Sequence, residues 1–167
     1  MSESEYFSSS YQAARRKFLG AAHGAAAGIE SIPHPHVGPD GEPLFVDVGF
    51  IGSREAARIL VVISGTHGVE GFAGSGIQTG LLLEGIASRL PPGVSLLMLH
   101  SLNPFGMSHL RRVTEDNIDL NRNFRNHAAP YPRNLAYERL ADVIAPQSLS
   151  ALSEVASWSR LLWYRLT

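Results

Sequence analysis

A short apolar run that ends in a glycine turn constrains this chain more than any other segment. Residues 59–64 predict a buried strand, and Gly65 ends it in a loop. The loop presents His67 and, three residues later, Glu70. An imidazole and a carboxylate just beyond a strand end can converge on one cation, and zinc accepts both ligand types. The segment therefore predicts His67 and Glu70 as metal ligands, although most His-x-x-Glu pairs are helix-surface pairs without a metal.

A second polar segment follows another apolar run, residues 94–99, which also predicts a buried strand. Residues 103–106 read Asn-Pro-Phe-Gly, which is turn chemistry because proline fixes its φ angle and glycine accepts conformations other residues avoid. Residues 101–126 show little periodicity, and their arginines offer rigid donor forks suited to a carboxylate. The alternative is a surface network of ion pairs. The arginines are Arg111, Arg112, Arg122 and Arg125, and the neighbouring acids are Glu115, Asp116 and Asp119.

Together the two segments resemble the zinc carboxypeptidase superfamily. More narrowly, they resemble a bacterial carboxypeptidase-like branch of largely unassigned activity, related to succinylglutamate desuccinylase and aspartoacylase. The metal motif of that superfamily falls on His67 and Glu70, and its Asn-Pro-x-Gly turn falls on residues 103–106. Its Asp-x-Asn-Arg-Asn-Phe/Tyr signature falls on residues 119–124. The resemblance implies a zinc cofactor and the hydrolysis of an amide bond.

The resemblance also assigns roles to the polar loop. It implies that Asn121 and Arg122 hold the free carboxylate of a small-molecule or peptide substrate. It implies that Arg112 polarises the scissile carbonyl, with Arg111 as the alternative at the neighbouring position. These roles rest on the match to the superfamily motif and not on composition or spacing alone.

The chain departs from the superfamily pattern after the polar loop. Members carry a third metal ligand, a histidine on a later strand, and then a glutamate that acts as general base. Here His100 closes a predicted strand and is expected in the core or supporting the site, whereas His127 falls in a loop. We expect an N-terminal portion of a zinc-dependent amide hydrolase, carboxypeptidase-like or N-acyl-amino-acid deacylase-like, truncated and inactive alone. The alternative is a non-catalytic fragment or degenerate homologue that binds carboxylates or a partner.

Composition limits the classes of partner and the kinds of metal ligand that are expected for this chain. The 167 residues are 44% apolar and 17% charged, as in an ordinary globular chain. A net charge of −1 lacks the basic excess expected of a chain that binds nucleic acid or a membrane surface. There is no cysteine, so any metal site must use nitrogen and oxygen ligands. Arg15 and Arg16 resemble a twin-arginine export signal, but residues 20–29 are too weakly apolar for one, and we expect a cytoplasmic protein.

The remaining patterns predict an α/β fold, and the resemblance implies an incomplete, carboxypeptidase-like mixed sheet flanked by helices. The sheet is expected to be mostly parallel, with its first strand antiparallel at the edge. Residues 33–43 contain His34 and His36 among prolines and glycines and are expected to be an irregular loop that binds no metal. Strands are predicted over residues 44–50, 58–64 and 94–100, and helices over residues 11–27, 71–90, 134–144 and 148–166.

We expect one domain over residues 1–167. Its parts are an N-terminal helix and loop (1–43), a core (44–145) and a C-terminal helical segment (146–167). The apolar side of the last predicted helix starts at Leu149, and the chain becomes almost wholly apolar from Trp163. A surface of that kind is expected to be covered by further chain or by a partner, such as a second copy.

Overall fold

The computed structural model describes residues 3–146, 148 and 150–166. Leu149, where the apolar side of the last predicted helix starts, lies outside the described residues. The chain forms two compact units, Met1–Phe124 and Arg125–Thr167. The expectation of a single domain stays a prediction, and each unit is described by itself below.

The first unit opens with a one-turn 3₁₀ helix at Glu3–Tyr6, followed by helix α1 at Tyr11–Gly24. Ser10 caps α1, since its side-chain oxygen accepts a hydrogen bond from the Ala13 amide at 3.3 Å. The helix was predicted to reach residue 27, but it ends at Gly24 because Ala26 adopts a φ angle of 53°. Left-handed backbone cannot continue a right-handed helix.

Four strands form one mixed sheet: β1 at Gly28–Val37, β2 at Pro43–Ile51, β3 at Arg58–Ile63 and β4 at Val94–His100. Their order in the sheet is β1-β2-β4-β3. The β1/β2 and β2/β4 pairs are antiparallel, and β3 pairs with β4 in parallel. The predicted α/β class with a mixed sheet and helices is therefore confirmed. The expectation of a mostly parallel sheet is wrong, and so is the expectation of β2 as an edge strand.

The irregular loop predicted for residues 33–43 is confirmed only for residues 38–42, because β1 runs through both histidines to Val37 and β2 begins at Pro43. Pro33 pairs with Phe45, and the register shifts between Pro33 and Val37. Proline lacks the amide hydrogen that a central strand needs, but an edge strand can turn that position to solvent. Alternating proline and histidine therefore form a strand here because, within the described residues, β1 pairs with β2 alone.

The prediction of a buried strand at residues 59–64 is also wrong, because β3 is the other edge of the sheet. Its apolar side chains are about half exposed on both faces: Ile59 49%, Leu60 48%, Val61 49% and Ile63 48%. A continuous apolar run is typical of strands in parallel sheets that are covered on both faces. Within the described residues, β3 has β4 alone as its neighbour.

Helices follow the two parallel strands. Helix α2 at Gly71–Leu83 follows β3, and Gly85 with a φ angle of 76° separates it from the short α3 at Ile86–Arg89. The sequence predicted one helix over residues 71–90, but the left-handed glycine breaks it. Helix α4 at Pro104–Ser108 follows β4, in a stretch that had been expected to be loop.

A buried ion pair joins the first helix to the sheet. The carboxylate of Asp47 on β2 is fully buried and accepts hydrogen bonds from the Arg15 guanidinium at 2.7 and 2.9 Å. The hydroxyl of Ser31 on β1 donates to the same carboxylate at 2.5 Å. Three elements therefore meet at one buried charge, whose partners compensate its desolvation.

His100 lies beside that ion pair in the core. It is fully buried, stacks on Phe18 with ring centroids 4.4 Å apart, and contacts the Ser75 hydroxyl through Nε2 at 2.9 Å. Its Nδ1 atom has no hydrogen-bond partner and lies 3.9 Å from an Asp47 oxygen. Burial lowers the pKa of His100 from 6.5 to about 4, and Arg15 lowers it further, while Asp47 opposes the shift. The ring is therefore neutral and structural at neutral pH.

The second unit contains two helices, α5 at Leu135–Ile144 and α6 at Ala151–Leu166. Both predicted helices are present, and Asn134 caps α5 by accepting from the Tyr137 amide at 3.0 Å. An ion pair between Arg160 and Asp142 links the two helices. None of the helices described is both long and apolar enough to cross a membrane. The cytoplasmic location and a pairing of copies through the C-terminal segment stay predictions.

The low pKa of His100 predicts acid-dependent unfolding of the first unit. The unfolded chain takes up a proton near pH 6.5, whereas the folded chain resists it until about pH 4. Stability is therefore full above pH 6.5 and falls by a few kcal/mol as the pH drops to 4. Urea unfolding followed by circular dichroism between pH 4 and 7.5 measures this slope. His100→Gln should flatten it, whereas an unchanged slope in that variant would contradict the assignment.

Candidate metal centre

The loop after β3 and the loop after β4 are joined by backbone hydrogen bonds beyond the strands themselves. The amide of Leu102 donates to the Ser64 carbonyl at 2.9 Å, and the amide of Asn103 donates to the Gly65 carbonyl at 2.7 Å. Because β3 and β4 are parallel, both loops leave the same edge of the sheet. Ligands of open α/β sheets bind at this edge.

Glycine lets the two loops touch. A side chain at Gly68 would place its Cβ atom 1.9 Å from the Gly106 carbonyl carbon and 2.3 Å from the Arg111 carbonyl oxygen. Only a residue without a side chain allows that approach. Asn103 caps α4 by accepting from the Gly106 amide at 2.8 Å, and the Arg111 amide donates to the Gly106 carbonyl at 2.7 Å. The arginine loop is therefore held against the histidine turn.

The two predicted metal ligands lie side by side. His67 Nδ1 is 3.5 Å from Glu70 Oε1. Two ligands of a tetrahedral zinc ion, each about 2.0–2.2 Å from it, are separated by about 3.3–3.6 Å. Glu70 occupies the N-cap position of α2 but makes no side-chain capping hydrogen bond, so its carboxylate is not committed to the helix. The positive end of the helix dipole favours a carboxylate at this position.

Asp119 holds the other side of the imidazole. His67 Nε2 lies 3.0 Å from Asp119 Oδ1, which also accepts from the Asn121 amide at 2.9 Å. A carboxylate that accepts from Nε2–H leaves the lone pair on Nδ1, which faces Glu70. Sequence reasoning placed Asp119 in a motif but gave it no role at the site. The signal was an acid two residues before Asn121, in the segment that also supplies Arg122.

Arg112 bridges the two carboxylates. Its Nη1 atom is 3.1 Å from Glu70 Oε1, and its Nε atom is 3.1 Å from Asp119 Oδ2. Arg111 turns elsewhere, with Nη2 2.9 Å from Asn117 Oδ1 and its guanidinium 5.8 Å from the Phe105 ring centre. The contacts thus favour Arg112 over Arg111 as the guanidinium beside the histidine.

The carboxylate clamp, which is the pair Asn121 and Arg122 predicted to hold a substrate carboxylate, is exposed and only loosely held by other residues. The Arg122 Nη1 atom reaches the Asn121 carbonyl at 3.4 Å, and both residues are exposed. In the part of the chain that the structure describes, Arg122 forms no ion pair with Asp116 or Asp119, which was the alternative structural role. No hydrogen bond or ion pair among the described residues connects Arg122 to His67 either. The orientation of the Arg122 side chain towards the predicted ligands His67 and Glu70 stays a prediction.

The described residues provide two adjacent ligands and not a complete cage. Among them, no group of three or more histidine, aspartate or glutamate side chains could hold a metal ion. His100 is excluded as a third ligand because it is buried against Phe18 and Ser75. His127 belongs to the second unit.

The charges at the site favour a cation. Two carboxylates, Glu70 and Asp119, face one guanidinium and a histidine, which leaves a net negative charge when the imidazole is neutral. The hydrogen bond from His67 is the main reason that the pKa of Asp119 lies below its ordinary value, and Arg112 lowers it further. Asp119 is therefore ionised at neutral pH and able to hold the Nε2–H tautomer.

The comparison with protein families decides where the chain belongs. Residues 7–163 match the model of a family described as "Protein of unknown function (DUF2817)". The chain belongs to the DUF2817 family. No curated protein matches it. The resemblance to the zinc carboxypeptidase superfamily stays a prediction.

Three solved structures are similar at low identity. Two are glutaminyl cyclases, from Tannerella forsythia (15% identity, TM-score 0.44) and Porphyromonas gingivalis (12%, TM-score 0.40). The third is a Zn-dependent exopeptidase from Parabacteroides distasonis (11%, TM-score 0.39). They cover 72%, 60% and 82% of this chain. The DUF2817 chain spans about half of their length: 51%, 48% and 48%.

The pKa of Asp119 tests the geometry around His67. Removing the ring in His67→Ala should raise the pKa of Asp119 towards its ordinary value, because the hydrogen bond from His67 is the largest cause of the shift. Carbon-13 NMR titration of the aspartate carboxyls in both proteins measures this change. His109→Ala, an imidazole outside the site, is the matched control. An unshifted titration in His67→Ala would show that the imidazole does not bond to Asp119.

Proposed function

We propose that the first unit carries two ligands of a zinc site, His67 and Glu70, in a hydrolase that cleaves amide bonds. The observation that carries the proposal is that the two imidazole nitrogens of His67 have different partners. Nδ1 faces Glu70 at 3.5 Å, and Nε2 contacts Asp119 at 3.0 Å. Metal-binding histidines typically donate their second ring N–H to a carboxylate in this way. When bound, zinc would polarise a carbonyl and lower the pKa of a bound water.

The chain's own residues have distinct tasks in this proposal. Asp119 fixes the ring orientation and tautomer of His67. Arg112 already spans the two carboxylates through Nε and Nη1. Its Nη2 nitrogen takes part in no hydrogen bond or ion pair within the described residues, so it can donate to an oxyanion that develops on a substrate. Asn121 and Arg122 would bind a free carboxylate, which makes N-acyl amino acids and peptide C-termini the proposed substrate classes. A general base still has to be supplied, because Glu70 and Asp119 are both engaged.

Zinc affinity tests the ligand assignment. Calorimetric titration of the chain with zinc should give one weak site, because a three-ligand cage is the usual minimum at catalytic centres. His67→Ala and Glu70→Gln should abolish that site. Asp119→Asn should weaken it by about 10–100-fold, which is the usual effect of losing a partner of a metal-bound histidine. Binding that survives His67→Ala would contradict the assignment.

A second candidate function is a non-catalytic module that binds carboxylates. It is favoured by the incomplete ligand set of the described residues and by the exposed guanidinium of Arg122. Assays with hippuryl and N-acyl-amino-acid substrates, with and without zinc, separate the two candidates. Turnover that requires both zinc and Glu70 would exclude the binding-only function. Tight substrate binding without turnover would favour it.

Arg122 tests the carboxylate clamp in either case. Arg122→Ala should weaken binding of a benzylsuccinate-type diacid by about 1.5–3 kcal/mol, the range for hydrogen bonds to charged groups. Arg122→Lys should recover part of that loss, since lysine lacks the bidentate fork. The melting temperature should change little, because Arg122 forms no ion pair among the described residues. Reduced stability with unchanged affinity would assign Arg122 a structural role instead.

A further inference from the structure

A buried glutamine lies where helix α2 meets the ends of the two parallel strands. Gln78 of α2 is fully buried. Its Nε2 amine donates to the Val62 carbonyl of β3 at 3.0 Å and to the Leu99 carbonyl of β4 at 3.1 Å. Its Oε1 atom accepts from the Ser64 hydroxyl at 2.9 Å. One carboxamide therefore joins the helix to both strands at the edge where the loops of the candidate metal centre leave the sheet.

Two glycines allow α2 to lie close enough to the end of β3 for these bonds. A Cβ atom added at Gly71 would lie 3.0 Å from the Cα atom of Gly65. One added at Gly74 would lie 2.8 Å from the Cβ atom of Ser64. Gly71, Gly74 and Gln78 are spaced by three and four residues, so they share one face of the helix. That face brings bare backbone, and then one carboxamide, to the end of β3.

The same chain of hydrogen bonds reaches the start of the loop after β4. Ser64 Oγ accepts from the buried amide of Ser101 at 3.1 Å. Ser101 has a φ angle of 57°, in the left-handed region that residues other than glycine rarely adopt. Such a conformation persists only where surrounding contacts over-determine it, and it is common at functional sites. Here it turns the chain from β4 into the loop that carries Arg112 and Asp119.

The pairing of backbone groups does not by itself explain the glutamine. The Leu99 carbonyl also accepts from the Ser64 amide at 2.9 Å, so it has a partner without the carboxamide. A buried glutamine loses rotamer entropy and needs partners for its polar atoms, whereas an apolar side chain of similar size would fill the same space without them. The presence of Gln78 therefore indicates that the directions of its bonds matter.

We propose that Gln78 is a positioning residue of the candidate metal centre, an inference that rests on the proposed function. Glu70 stands at the N-cap of α2, His67 follows β3, and Asp119 lies in the loop after β4. These are the three segments that Gln78 joins. Its own hydrogen bonds go to the strand ends, so it acts on the ligands through these segments.

Gln78→Met tests the proposal, because methionine keeps the length of the side chain but removes both hydrogen-bonding groups. The zinc Kd should rise by about tenfold, the lower end of the loss for residues that orient metal ligands. Proton–nitrogen NMR of the His67 ring in the metal-free chain gives a second measurement. The chemical shifts of its two nitrogens should move closer together, because a displaced Asp119 no longer holds the proton on Nε2.

Leu82→Ala is the matched control. Leu82 lies one turn further along α2 and packs in the apolar core with Phe18. This variant should lower the urea midpoint at least as much as Gln78→Met, but leave the zinc Kd and the His67 ring shifts unchanged. Equal changes in Leu82→Ala would overturn the proposal, because the site would then respond to any loss of stability. Parental ring shifts in Gln78→Met, or a parental Kd, would also overturn it.

A parent chain that binds no zinc would defeat the proposed function, whereas the ring shifts of His67 would still decide the role of Gln78. Ser64→Ala is a second, milder variant that keeps the test decisive if Gln78→Met does not fold. It removes the Oγ atom that links Gln78 to the Ser101 amide, so the ring shifts should move in the same direction. Combining the two substitutions should change them by less than the sum. Parental ring shifts in Ser64→Ala, or full additivity, would overturn the proposal.

Discussion

The buried carboxylate of Asp47 is the electrostatic centre on which the first unit depends. It draws Arg15 of α1 and Ser31 of β1 to one point of β2, beside the end of β4. Loss of one partner from a buried ion pair is strongly destabilising, by about 3–5 kcal/mol, because the remaining charge is left uncompensated. The ion pair thus fixes how α1 sits on the sheet and, with it, the core around His100.

The candidate metal centre depends on a different constraint, which is close backbone contact. Gly68 and Gly106 let two loops from parallel strands meet without intervening side chains. The same contact brings the segment with Arg112 and Asp119 to the histidine turn. Charged groups then fix the remaining contacts of the site. Asp119 can bond to both His67 and Arg112 only if the two loops keep this separation.

Local sequence patterns predicted much of the secondary structure, but less of where each element lies in the sheet and how deeply it is buried. The turn after β3, the capped helix after Asn134 and the strand ending at His100 follow from short-range apolar periodicity and capping chemistry. The position of a strand in the sheet does not follow from local patterns, because it depends on which strands pair across long sequence separations. For that reason residues 33–37 of β1 were expected to be loop, and β3 was expected to be buried. Asp119 was not predicted as the partner of His67 for the same reason, because it lies 52 residues away along the chain.

The exposed flank of β3 has a practical consequence for work with the purified chain. An apolar strand at the edge of a sheet offers unpaired amide and carbonyl groups as a template for other strands. Ile59 to Ile63 carry no charge and no proline that would discourage such pairing. We therefore expect concentrated samples to assemble through this strand, which would remove material from solution while each subunit keeps its own fold.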